Sequence, residues 1–77
     1  MNAAIAQHVL HALGQPGGLQ SVQVRQLWTD HYRVNVLVGE SAVTTRIAHS
    51  FFLVADKEGA IVGATPNITR QYEKAAE

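Results

Sequence analysis

The sequence contains no cysteine, which excludes a disulfide scaffold, a thiolate nucleophile and any cysteine-ligated metal or iron–sulfur site. It has no excess of charge of either sign, because six Lys and Arg side chains balance six Asp and Glu side chains. General nucleic-acid binding is normally accompanied by a strong basic excess, so nucleic acid is not an expected partner. Zero net charge also leaves little electrostatic repulsion to oppose self-association.

Long apolar runs are lacking as well. The longest one extends only from Phe51 to Ala55, whereas a membrane-spanning helix needs about 20 residues. The N-terminus has neither the basic nor the apolar stretch of a signal peptide, so we expect a cytoplasmic protein without membrane contact. At 47% hydrophobic residues the chain is too apolar to be disordered. Its 77 residues predict one domain over 1–77, with a stability of roughly 4–12 kcal/mol.

An amphipathic helix is predicted over residues 3–13. Ile5, Val9 and Leu13 recur at i, i+4 and i+8 and form one apolar stripe. Gly14 stands where a left-handed residue commonly ends a helix, and Pro16 follows at the usual distance beyond the end.

A β-hairpin is predicted over residues 21–28 and 31–38. A three-residue loop, 29–31, would pair Trp28 with Tyr32 and keep all the large side chains on one face. That loop needs a positive φ at its last residue, His31. A two-residue loop, 29–30, would place Val22 and Val24 opposite Leu37 and Asn35, and so would put the valines of the two strands on different faces.

Two further strands are predicted over 43–55 and 60–65, joined by a type I turn with a glycine bulge at 56–59. This register places Val54 opposite Val62. A strand as long as 43–55 also allows a bulge near His49 and Ser50. The predicted pattern is apolar on both faces of this hairpin, one carrying Ile47, Phe51, Leu53 and Ile61 and the other carrying Phe52, Val54 and Val62.

The predicted fold is therefore α+β, an N-terminal helix packed on a four-stranded antiparallel meander sheet, with a short C-terminal helix over 66–75. One short helix covers one face of such a sheet. The second face could be covered by a second copy of the chain, by the C-terminal helix, or by a hydrophobic ligand. We favour the second copy, with a contact formed by Leu27, Leu37, Phe52, Val54 and Val62.

Candidate chemistry is sparse. His8 and His11 have a spacing at which two ligands can share a metal, but no acidic residue lies near them in sequence, so we expect neither a metal nor a cofactor. His49 could act as a base, although Ser50 must point to the opposite face of the strand. A small-molecule pocket near His49, Trp28 and Tyr32 is one alternative function.

Arginine side chains provide the other alternative. Arg25 and Arg33 are expected to be near-diagonal neighbours on one sheet face, and Arg46 could join them from the third strand. Together with His49 they form the candidate ligand-binding residues, suited to a phosphate, a carboxylate or RNA. The main expectation remains a non-enzymatic binding or assembly domain that forms a homodimer.

Overall fold

The computed structural model describes residues 2–72 and confirms the predicted layout of one N-terminal helix on a four-stranded antiparallel sheet. Helix α1 spans Asn2–Leu13. Strands β1 Leu19–Trp28, β2 His31–Val38, β3 Arg46–Ala55 and β4 Ile61–Thr65 follow one another in the sheet in chain order. Short connections between neighbours produce this meander, because antiparallel strands can be joined by a tight turn.

The core lies between α1 and one face of the sheet, which we call the inner face. Ile5, Val9 and Leu13 are fully buried, as their spacing predicts. They pack against buried side chains of the two central strands, namely Tyr32, Val34, Val36, Phe51, Leu53 and Ala55. The opposite side of the sheet is the outer face.

The turn between β1 and β2 corrects the predicted loop. The connection has two residues, Thr29 and Asp30, with Trp28 paired to His31, and the positive φ of 63° belongs to Asp30. The turn is one residue shorter than predicted, and a bulge at Leu27 adds one residue to β1, so the residues before Leu27 keep their predicted faces. Beyond this bulge Trp28 lies on the outer face, so the predicted pairing of Trp28 with Tyr32 is wrong.

Strand β3 begins three residues later than predicted. The hydroxyl of Thr44 accepts hydrogen bonds from the backbone N–H groups of Glu40 and Ser41, at 3.0 and 2.9 Å, and this closes a turn where a strand was expected. A bulge is present as anticipated, but it falls at Ala48, between the pairs Val36–His49 and Leu37–Ile47. It transfers Ile47 to the outer face, contrary to the prediction.

The turn between β3 and β4 has the expected form. Gly59 adopts a φ of 82° and its N–H donates to the Asp56 carbonyl at 3.0 Å. The register then shifts between Val54 and Ala55. Val54 consequently pairs with Gly63, and the predicted pairing with Val62 is wrong.

No helix forms over 66–72, and the remainder of the predicted C-terminal helix, 73–75, lies outside the described residues. The segment instead runs along the end of α1, where the N–H groups of Gln71 and Tyr72 donate to the Leu13 carbonyl at 2.8 and 3.1 Å. Arg70 donates to the carbonyl of His11 at 2.8 Å. Carbonyls at a helix C-terminus lack intrahelical partners, so these bonds favour the extended segment over a second helix.

Candidate functional site

The outer face of the sheet carries apolar side chains that the described residues leave exposed. Helix α1 packs on the inner face, and Ile68 and Tyr72 of the C-terminal segment join the same core. On the outer face, by contrast, Arg25, Trp28, Arg33, Ile47 and Ser50 are all exposed. Four cross-strand rows of side chains are therefore presented on one open surface.

Three aromatic rings cluster where β1 turns into β2. The rings of Trp28 and His31 stack with centroids 4.9 Å apart, and Phe52 of β3 lies 5.9 and 5.7 Å from them. Trp28 remains 57% exposed. Aromatic groups of this size usually become buried on association, because each carries a large apolar area.

Two arginines lie side by side on the β1–β2 half of the outer face. Arg25 and Arg33 pair directly across β1 and β2, not diagonally as predicted. Arg33 contacts the Ser50 hydroxyl at 3.4 Å, and Ser50 donates to the side-chain oxygen of Asn35 at 2.7 Å. None of the four strands contains Asp or Glu, so this band of the sheet is positively charged within a chain of zero net charge.

The five predicted contact residues fall into two groups. Leu37, Phe52 and Val54 project from regular outer-face positions and are half-buried. Leu27 and Val62 stand at register shifts at the sheet edges and are exposed. Sequence reasoning missed two further exposed apolar residues of the outer face, Trp28 and Ile47, because each lies beyond a bulge that reverses its side.

The structure does not assemble the predicted ligand residues into one site. Arg46 pairs with the buried Val38, which places it on the inner-face side, away from Arg25 and Arg33. His49 is also on the inner face, where its Nε2 lies 2.7 Å from the hydroxyl of Tyr72.

The proposed pocket near His49, Trp28 and Tyr32 is divided by the sheet. Tyr32 is buried in the core on the inner face, whereas Trp28 lies on the outer face. The three side chains therefore do not line one cavity.

An open cleft of about 430 Å³ does lie at the end of the sheet that holds Arg46. Its lining includes Gly17, Gly18, Gly39, Glu40 and Thr44. Three backbone donors at this end of the sheet are already used, because the N–H of Gly39 bonds to the Gly18 carbonyl and those of Glu40 and Ser41 bond to the Thr44 hydroxyl. They therefore do not form an anion-binding nest.

Metal-binding geometry is not found among residues 2–72, since no three His, Cys, Asp or Glu side chains lie together. The Nδ1 of His8 is instead hydrogen-bonded to the Gly59 carbonyl. In the same part of the chain, α1 has only 12 residues, and no helix is long and apolar enough to span a membrane. Comparisons with protein-family models, with curated proteins and with solved structures give no match to this chain.

Proposed function

We propose that this protein is a small non-enzymatic assembly domain that forms a homodimer through the outer face of its sheet. The observation that carries the proposal is the concentration of apolar side chains on a face that the described chain leaves open. Trp28 and Ile47 are each 57% exposed there, and the half-buried Phe52 and Val54 of β3 belong to the same face. Their burial is favourable by roughly 25 cal/mol per Å² of apolar area removed from water.

The dimensions of the face agree with a modest interface. Four strands about 4.8 Å apart, with about eight residues each at 3.3 Å per residue, give roughly 500 Å² per copy. Two copies then bury about 1,000 Å², which is at the lower limit for a specific interface. We therefore expect a dimer whose population rises visibly with protein concentration.

Multi-angle light scattering over a range of concentrations tests the proposal. Ile47→Asp introduces a charge at an exposed position of the face and should convert the dimer to a folded monomer. Val43→Asp is a matched control, because Val43 is 94% exposed in the loop outside the strands and should leave the mass unchanged. Wild-type protein that stays monomeric at every concentration would refute the proposal.

A second candidate function, binding of an anion or RNA, is favoured by one specific observation. Arg25 and Arg33 are paired on the outer face in the row next to that of Trp28 and His31. Nucleic-acid bases stack on aromatic side chains, and phosphates bind arginine. Titration of a short single-stranded RNA at low and moderate salt separates the two functions. Tight, salt-sensitive binding by a monomer, lost in Arg33→Ala, would assign the face to RNA instead of a second copy.

A further inference from the structure

The strand register arranges the outer face into cross-strand rows whose two halves differ in chemistry. We propose that two copies stack these faces about a twofold axis parallel to the strands, between β2 and β3, so that Arg33 lies over the partner's Phe52. This inference rests on the homodimer proposed above and names its geometry. Such an axis places β1 over β4 and β2 over β3 of the partner, at matching heights along the strands.

The row that contains the arginines is complementary to itself under this axis. It runs Arg25, Arg33, Phe52, Thr65 across the four strands. Both cations belong to the β1–β2 half, whereas a ring and a hydroxyl occupy the β3–β4 half. Rotation therefore sets each Arg33 guanidinium over the partner's Phe52, a cation–π contact, and sets Arg25 near the hydroxyl of the partner's Thr65.

The neighbouring row is complementary in size. It runs Trp28, His31, Val54, Gly63, with two large rings on one half and two smaller residues on the other. The space above Gly63 is open, since a Cβ added there would meet no atom within 4 Å. The same rotation places the indole of Trp28 over the partner's Gly63, where this space can receive it.

In the two remaining rows, apolar side chains face apolar side chains of the partner, and polar side chains face polar ones. Leu37 and Ile47 are cross-strand neighbours, so each Leu37 would lie over the partner's Ile47. Asn35 pairs with Ser50, so their amide and hydroxyl groups would meet those of the partner. All four rows are thus accommodated by one operation, within the crossing angle of about 30° that is usual for aligned sheets.

An axis perpendicular to the strands gives a poorer arrangement. It stacks the β1–β2 half of one copy on the β1–β2 half of the other, and this brings four guanidinium groups to the same side of the interface. The strands contain no carboxylate to balance them. Like-charge juxtaposition of this kind disfavours a complex.

A charge-swap experiment distinguishes the two axes. Arg33→Glu should weaken self-association about tenfold or more, because it replaces the cation over the partner's ring with an anion. Phe52→Lys should weaken it similarly, because the introduced ammonium would face a guanidinium of the partner. Mixed together, the two variants should form a heterodimer. In it, the new carboxylate at position 33 of one copy lies over the new ammonium at position 52 of the other, while the second Arg33–Phe52 contact stays native.

Native mass spectrometry separates the species, since the two variants differ in mass. Recovery of a heterodimer at concentrations where each variant alone is monomeric supports the proposed axis and shows that both variants fold. A stronger heterodimer between Arg33→Glu and the wild type, with none between the two variants, overturns this axis but keeps the dimer. Wild-type protein that is monomeric throughout removes the homodimer and this geometry together.

Discussion

Replacement of Gly14 by alanine should destabilise the fold far more than an ordinary glycine substitution. Gly14 ends α1 with a φ of 88°, a conformation that costs an L-residue about 1 kcal/mol or more. A Cβ at this position would overlap the Tyr72 carbonyl group. The obstacle is backbone, so the C-terminal segment must move away from the helix end.

Displacement of the segment breaks a defined set of contacts. The Leu13 carbonyl loses the N–H groups of Gln71 and Tyr72, and His49 loses the hydroxyl of Tyr72. Each lost hydrogen bond is worth about 0.5–1.5 kcal/mol. Added to the backbone strain, the loss of these three hydrogen bonds gives an expected destabilisation of roughly 2.5–5.5 kcal/mol, a large fraction of the total stability of a domain of this size.

Urea unfolding followed by circular dichroism measures this effect. With an m-value of about 1 kcal/mol per M for a small domain, the midpoint should fall by roughly 2.5–5.5 M. Gly17→Ala is the matched control, because a Cβ there meets nothing within 4 Å and its φ is not positive. Its midpoint should stay the same or rise slightly. Equal midpoints for the two variants would refute the assignment of the C-terminal segment to the helix end.

Two smaller effects follow from other polar contacts. Asp56→Ala removes an oxygen that accepts hydrogen bonds from the N–H groups of Glu58 and Ala60, both at 2.9 Å. It should lower the free energy of unfolding in urea by about 1–2 kcal/mol, whereas substitution of the exposed Lys57 by alanine should lower it little. Equal losses for the two variants would contradict the turn geometry. Tyr72→Phe deletes only the hydroxyl that lies 2.7 Å from His49 Nε2, and it should lower the free energy of unfolding by about 0.5–1.5 kcal/mol. An unchanged urea midpoint would show that this contact does not hold the C-terminal segment in place.

Face assignment was predictable wherever the sequence alternates without interruption. Val22 and Val24 do share the inner face with Val34 and Val36, although each pairs with a residue two positions away from its predicted partner. The predicted loop and the observed turn with its bulge differ by an even shift, and an even shift preserves the face of every residue before the bulge. Periodicity therefore identified the core while leaving the register undetermined.

Residues beyond a bulge were the ones predicted wrongly. Trp28 and Ile47 are each next to a bulged residue, and Val62 is itself at a register shift. An extra residue in one strand reverses the face of every residue on its far side. At these positions no characteristic residue type marks the bulge in the sequence. The candidate site was hence only half predictable: Phe52 and Val54 lie on the regular part of β3, whereas Trp28 and Ile47 depend on bulges.

The C-terminal segment links the failed helix prediction to the proposed dimer. Thr65 and Pro66 have the form that opens a helix, but that preference is local, and it is outweighed by the carbonyls at the end of α1 that need donors. By meeting that need the segment directs Ile68 and Tyr72 to the inner face. Those two are the large apolar residues that the described chain provides after β4, so the outer face receives no cover from them. The contacts that complete the core are therefore the same ones that leave the sheet available to a second copy.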